Sequence, residues 1–163
     1  MKRIPLTQNR IALVDDQDFL RLSEFKWFTL KRRNTCYAAT FTGMWDSKRR
    51  RGRILLLMHR VILRLPAGRQ PCVDHMNGNG LDNRRKNLRV ASMSQNLANS
   101  KQRWANNTSG YKGVSFHKRG HMWTAQITVN YKKIHLGCFQ SPEEASGAYR
   151  QAAKKFFGQF SRF

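Results

Sequence analysis

The chain has 163 residues, and its 31 Lys or Arg against 9 Asp or Glu give a formal net charge of +22. Each basic side chain near a phosphate releases a counterion, so a charge of this size predicts a nucleic-acid partner. The sequence offers no apolar run long enough to span a membrane and no basic amphipathic helix, which argues against a membrane partner. Its three widely spaced cysteines exclude a four-cysteine zinc site, and its polar start, without a signal peptide, predicts a cytoplasmic location.

Residues 1–65 are predicted to form a mixed segment of strands and one short helix. IPLTQNRIALVD is typical of two strands around a turn, acids open a helix in DDQDFLRLSEFKWF, and TCYAATFTG and GRILLL are strand-like. Between the last two lies KRRRGR, which is either a solvated loop or a phosphate-contacting loop. The basic composition favours the second, so Arg49, Arg50 and Arg51 are predicted DNA contacts.

Residues 66–100 place an acid beside a histidine and are rich in asparagine, in VDHMNGNGLDNRRKNLRVASMSQN. PCVDHMN predicts a strand that ends in a turn, and NLRVAS predicts a second strand. Ser92, with Gln95 three residues later, is a capping-box pattern that predicts a helix beginning near Met93. The expected order is therefore strand, loop, strand, helix.

This segment carries the groups that phosphodiester hydrolysis needs. Magnesium prefers hard oxygen ligands and keeps waters and phosphate oxygens in its shell, so the carboxylate of Asp74 and the amide of Asn96 suffice as protein ligands. His75 titrates near neutrality and can take a proton from water as a general base. Each side chain also has a structural interpretation, as a strand-end carboxylate, a packed histidine or a capping amide. Their combination in a basic chain favours a nuclease.

DHMNGNGLDNRRKNLRVASMSQN resembles the ββα-metal motif of HNH endonucleases, in the variant whose last His is replaced by Asn. With MHRVIL before it, the chain is similar to phage and intron-encoded HNH homing endonucleases. The resemblance implies that Asp74 and Asn96 bind one divalent metal, magnesium or else manganese, that His75 is the general base, and that Asn87 orients it. Asn83 is the alternative to Asn87. The resemblance also implies cutting or nicking of double-stranded DNA in a phage-infected bacterial host, without a small-molecule cofactor.

Residues 101–109 are polar, without apolar periodicity, and are predicted to be a linker. Residues 110–163 predict three strands, YKGVSFHK, MWTAQITVN and KIHLGCF, followed by a helix in SPEEASGAYRQAAKKFFG. The second strand alternates apolar and polar residues, and Ser141 and Gly158 are good start and stop residues for the helix. We expect a three-stranded antiparallel sheet packed on one helix, with its other face polar and uncovered.

Residues 109–160 resemble the plant APETALA2/ethylene-response DNA-binding domain, through SGYKGVSF, WTAQI, HLGCF, EEASGAY and KKFFG in order. The resemblance implies that the sheet contacts DNA, with Lys112, Ser115, His117, Gln126, Thr128, Lys133 and His135 facing the duplex. Most arginines of the plant family are missing at these positions, and His135 stands where a Trp is usual. The plant target sequence is therefore not implied.

The predicted fold is α+β, with a ββα-metal nuclease core between the mixed N-terminal segment and the APETALA2-like domain. The predicted function is that of a monomeric, divalent-metal-dependent endonuclease acting on double-stranded DNA. The alternatives are a non-catalytic DNA-binding regulator with a decayed nuclease core, and a basic RNA-binding protein of the ribosomal type. His59 is predicted to pack beneath the site, and further phosphate contacts are expected from Arg84, Arg85, Lys86 and Arg89.

Overall fold

The computed structural model describes residues 1–32, 35–42, 54–100 and 107–162. The predicted phosphate-contacting residues Arg49, Arg50 and Arg51, and residues 101–106 of the predicted linker, lie outside these ranges. The chain separates into two compact units, Met1–Ala91 and Ser92–Phe163. Within the described ranges, no helix has the length and hydropathy needed to cross a membrane.

The first unit contains seven strands and two helices among its described residues. Gln8 and Asn9 adopt the left-handed conformation, with φ of 62° and 51°, and turn the chain between the first two strands, as the sequence predicts. Two further antiparallel sheets follow, one of three strands and one of two. The strands are β1 Lys2–Pro5, β2 Ile11–Val14, β3 Phe28–Lys31, β4 Cys36–Phe41, β5 Leu55–Leu57, β6 Cys72–His75 and β7 Leu88–Ala91, and the helices are α1 Asp16–Ser23 and α2 Met58–Ile62.

The long loop between β6 and β7 is held against the N-terminal part of the chain. The Leu13 backbone N–H donates to the Leu81 carbonyl at 2.9 Å, and the Asn83 N–H donates to the Leu13 carbonyl at 2.8 Å. Leu81 and Leu88 share one core with Val14 and other N-terminal residues. The predicted boundary near residue 65 therefore lies inside a single unit, because loop and N-terminal strands bury a common apolar surface.

The second unit begins with α3 Met93–Asn99 and continues with a sheet and a longer helix. The Ser92 side chain accepts from the Gln95 backbone N–H at 3.2 Å while the Gln95 side chain accepts from the Ser92 N–H at 2.8 Å, which confirms the predicted capping box. The sheet is antiparallel in the order β10–β9–β8. Its elements are β8 Val114–His117, β9 Met122–Val129, β10 Lys132–Phe139 and α4 Pro142–Phe157.

The helix α4 covers one face of this sheet, as the alternation in β9 predicts. Ala125 and Ile127 are 0% and 2% exposed, whereas Gln126 and Thr128, which alternate with them, are exposed. The Ser141 hydroxyl accepts from the Glu144 backbone N–H at 3.2 Å and starts the helix, with Pro142 in its first turn. The small buried side chains of α4 allow this helix to lie close to the strands.

Candidate active site

The strands β6 and β7 carry the acid and the histidine into the interior. Their antiparallel register sets Asp74 opposite Arg89 and His75 opposite Leu88. Asp74 and His75 are only 3% and 5% exposed. Because successive residues of a strand point to opposite sides, the two side chains enter different surroundings.

Asp74 is held by an arginine from the neighbouring strand. The Arg89 guanidinium donates through Nε and Nη2 to the Asp74 carboxylate, with both nitrogens 2.7 Å from Oδ2. The two side chains are 12% and 4% exposed, so the pair is largely shielded from water. A buried carboxylate needs such a partner, because an isolated buried charge is strongly destabilising.

The rings of Tyr37, His59 and His75 pack together. The His59 ring lies edge-on to that of His75, with centroids 5.1 Å apart at 83°, and the Tyr37 ring lies at 5.8 Å. Tyr37 and His59 also touch each other, at 5.6 Å. His59 therefore packs against His75, as predicted, whereas no pattern in the sequence indicated Tyr37.

Burial favours the neutral form of both imidazoles. It lowers the pKa of His75, against the opposing effects of the nearby Asn83 amide and of the charges of Asp74 and Asp82. Burial lowers the pKa of His59 to about 3, helped by the positive charge of Arg60 and by repulsion from His75 when that ring is protonated. At neutral pH the His75 ring is therefore uncharged and able to accept a proton, which a general base requires.

Asparagine side chains build the loop that follows His75, residues 76–87, hereafter the asparagine loop. The Asn87 side chain accepts from the Asn77 backbone N–H at 3.0 Å and donates to the Asp82 carbonyl at 2.7 Å, so it joins both ends of the loop. Asn77 and Asn79 each accept from the backbone N–H two residues further on, at 2.8 and 3.1 Å. These bonds are Asx turns, which replace water as the partner of loop backbone groups.

Both asparagines considered for the central role are buried. Asn87 fastens the loop through its two hydrogen bonds, whereas the Asn83 amide lies close enough to His75 to affect its pKa. Asn83 is 1% exposed and is fixed by its backbone bond to β2. Gly80, earlier in the same loop, lies against β4, where an added Cβ would meet the Cys36 carbonyl at 2.5 Å.

Three of the four arginine and lysine residues predicted to clamp phosphate are engaged in ion pairs within the first unit. Arg84 donates to both oxygens of Asp82, at 2.7 and 2.6 Å, and these bonds lower the pKa of Asp82. Arg85 donates to both oxygens of Asp18, at 2.7 and 2.8 Å. Arg89 is bonded to Asp74, as described above, and Lys86 is exposed at the surface.

The donor groups fit only some metals. Over the ranges that the structure describes, no group of three or more His, Cys, Asp or Glu side chains could hold an ion. Asp74 alone offers a carboxylate next to His75 in sequence, which suits a hard ion whose shell is completed by amide, water and phosphate oxygens. A zinc site built from nitrogen and sulfur ligands is not present in these residues. Asn96 lies in the first turn of α3, in the second unit.

Six of the polar residues predicted to contact DNA share the face of the second unit's sheet that α4 does not cover. Lys133 pairs with Thr128 and His135 pairs with Gln126, so all four side chains project from the same side. The six that share this exposed face, hereafter the outer sheet face, are Ser115, His117, Gln126, Thr128, Lys133 and His135.

Lys112 is placed differently from the other predicted DNA contacts. Its ammonium donates to three backbone carbonyls at the end of α3, those of Leu97 at 3.2 Å, Ala98 at 2.6 Å and Ser100 at 3.0 Å. Burial, with a contribution from the charge of Arg162, lowers the pKa of Lys112 to about 8. All three ammonium protons are thus directed into the protein rather than towards a duplex.

Comparison with known proteins identifies the family to which this segment is similar. The profile of the HNH endonuclease family matches residues 56–98, which include α2, β6, the asparagine loop, β7 and most of α3. Protein 3.8 of Escherichia phage T7 is 35% identical over 91 residues, which are 56% of this chain and 74% of that protein. The chain therefore belongs to the family of phage T7 protein 3.8, and it carries an HNH endonuclease domain.

Shorter similarities extend to plant proteins. Two transcription factors of Arabidopsis thaliana with AP2/ERF and B3 domains are 45% identical over 49 residues and 49% identical over 45 residues. These matches span 30% and 28% of this chain but only 14% and 13% of the plant proteins. No solved structure matches the chain significantly.

Proposed function

We propose that this protein is a divalent-metal-dependent endonuclease that hydrolyses phosphodiester bonds in double-stranded DNA. The observation that carries the proposal is the buried, neutral His75 beside Asp74 at the end of β6, inside the segment that matches the HNH family. A non-catalytic DNA-binding protein does not require a buried imidazole kept in its basic form next to a buried carboxylate.

Each residue of the proposed site has a distinct task. His75 accepts the proton of the attacking water, and the ring of His59 packs against its imidazole. Asp74 and Asn96 are the proposed metal ligands, and a bound divalent ion would offset the negative charge that develops on the phosphate. Asn87 keeps the loop closed over the strand that carries His75.

Magnesium is the proposed ion, with manganese as a substitute, because oxygen ligands and a phosphate-completed shell suit both. The outer sheet face and Lys86 are the proposed contacts to DNA, together with Arg49, Arg50 and Arg51. With the one proposed site, a monomer would nick one strand in each binding event. The T7 relative makes the cytoplasm of an infected bacterium the proposed place of action.

A plasmid assay tests this function. Supercoiled plasmid is incubated with the protein in magnesium, in manganese and with a chelator, and the conversion to open-circular and linear DNA is followed. We expect open circles in either metal and none with the chelator. Cleavage that is indifferent to the chelator would contradict the metal requirement. Tight DNA binding without cleavage in any metal would instead identify a DNA-binding regulator.

A further inference from the structure

Within the second unit, three hydrogen bonds join the turn before β8 to the helix that carries Asn96. Lys112 directs its three ammonium protons to the carbonyls of Leu97, Ala98 and Ser100. The last carbonyls of any helix lack partners within the helix, and a cation there also interacts favourably with the helix dipole. Lys112 therefore caps the carboxyl end of α3 from outside that helix.

The other end of α3 is also fastened to the sheet. The Asn130 backbone N–H donates to the Ser94 hydroxyl at 3.2 Å. Asn130 and Tyr131 form the tight turn between β9 and β10, both with positive φ, of 47° and 67°. This turn has little freedom, so it is a firm anchor for the first turn of the helix.

The tethers at the two ends matter because α3 is short and incompletely packed. It has seven residues, fewer than an isolated helix needs to persist in water. A cavity of about 660 Å³ separates part of it from the sheet, with Leu97, Gln126 and Thr128 among its lining residues. Apolar packing on that side therefore does not fix the helix, and the polar contacts at its ends do.

We propose that Lys112 is a positioning residue that holds α3, and with it the amide of Asn96, in the conformation that binds the catalytic metal. This inference rests on the proposed function, in which Asn96 is a metal ligand. Asn96 lies between the two tethers, so fraying of the last turn would let its side chain move. The same lysine occupies a position that the plant resemblance assigns to DNA, and the two roles predict different measurements.

Lys112→Met removes the three donors and keeps most of the side-chain volume. Lys155→Met is the matched control, because Lys155 is exposed on α4 and its loss removes the same charge. We expect Lys112→Met to raise the magnesium concentration needed for half-maximal nicking about tenfold. This is the lower end of the range for removing a residue that supports a metal ligand. Lys155→Met should leave this magnesium concentration unchanged. Lys112→Arg keeps the donors and the charge, so its magnesium concentration should lie between those of Lys112→Met and wild type.

The dependence of DNA affinity on salt, measured with a chelator, separates the two roles. A lysine that contacts phosphate contributes about 0.9 to the slope of log affinity against log salt, whereas a helix cap contributes no more than the control. An unchanged magnesium requirement in Lys112→Met would overturn the proposal. A slope lower by about 0.9, with that requirement unchanged, would return Lys112 to the DNA-contacting set.

A measurement on the unaltered protein remains decisive if Lys112→Met does not fold. The ammonium group of Lys112 can be observed by nitrogen-15 NMR, and its protons should exchange slowly and keep their resonance when DNA is added. Rapid exchange, or a shift on addition of DNA, would contradict the cap. A wild-type protein that caps α3 but cleaves nothing in any metal would instead refute the proposed function.

Discussion

The asparagine loop of the first unit and the outer sheet face of the second use charged residues in opposite ways. Arg84 and Arg85 in the loop, and Arg89 on the adjoining strand β7, are each bonded to an aspartate. On the outer sheet face, Lys133 and His135 are exposed beside neutral polar side chains. The arginines at the loop form ion pairs within the protein, whereas the polar side chains of the outer sheet face are exposed.

This difference shows that a high net charge does not give the number of basic residues that can contact a nucleic acid. Bonding to an internal carboxylate leaves an arginine with less capacity to release counterions from a phosphate. Arg85, for example, joins the loop to α1 across 67 residues of sequence, through the buried carboxylate of Asp18. The arginines of the first unit therefore stabilise the structure around His75. The substitutions below test this difference between the loop and the outer sheet face.

The largest effect is expected from Asp74→Asn. It weakens the proposed metal ligand, whose charge stabilisation is worth several kcal/mol, so cleavage should fall by at least about 100-fold. It also leaves Arg89, which is 12% exposed, without its anionic partner, so unfolding should require less denaturant. Plasmid nicking and urea unfolding measure the two effects. Asp16→Asn, at an exposed position, is the control, and equal cleavage by both variants would refute the assignment of Asp74.

The comparison of Arg85→Met with Lys86→Met tests the structural role of the loop arginines. Arg85 is 40% exposed but pairs with the buried carboxylate of Asp18, whereas substitutions at exposed positions without such a partner cost less than about 0.5 kcal/mol. Arg85→Met should therefore destabilise the protein more than its neighbour Lys86→Met, although Arg21 still contacts Asp18 in that variant. Denaturant unfolding gives the free energies. Similar values for the two variants would show that the Asp18 pair contributes little.

Much of the local structure followed from the sequence. The capping box of α3 and the alternation of β9 are signals within a few residues, and the structure confirms both. The strand Phe28–Lys31 was missed, because the helical pattern before it has no stop signal and the helix ends at Ser23. Its four residues become a strand by pairing with β4.

The site could be anticipated only as a set of residue types. The Asp74–His75 pair and the asparagines were evident, but their partners come from distant parts of the chain. Tyr37 reaches His75 from β4, and Lys112 reaches α3 from a turn before β8. Neither contact leaves a periodic or short-range pattern in the sequence. The ion pair of Arg85 is likewise set by tertiary packing, which no local propensity encodes.

Acid should destabilise the first unit through its buried imidazoles. The pKa of His59 is about 3 in the folded protein against an unfolded value of 6.5, so its contribution to stability is complete above pH 6.5 and is lost as pH falls towards 3. His59→Phe keeps a ring and cannot be protonated. Between pH 7 and pH 5 the variant should lose about 2 kcal/mol less than wild type in denaturant unfolding. Identical pH dependence in both proteins would contradict the burial of a neutral His59.

The smallest effect is expected on the outer sheet face. Lys133→Ala should lower the slope of log affinity against log salt by about 0.9, with almost no change in stability, because the side chain is exposed. Lys155→Ala, on the helix that covers the other face, should leave the slope nearly unchanged. Equal changes in the two variants would show diffuse charge attraction rather than a defined DNA-contacting face.

His75→Ala tests most directly the claim that this protein is a nuclease whose base is His75. The same preparation is assayed for nicking in magnesium and for DNA binding with a chelator, beside His121→Ala, which removes an exposed histidine from a turn of the second unit. The account predicts that His75→Ala lowers the nicking rate by about 10² to 10⁴-fold while DNA affinity stays as in wild type. A folded His75→Ala protein that still nicks DNA at the wild-type rate, or that loses binding and cleavage in equal measure, would contradict it.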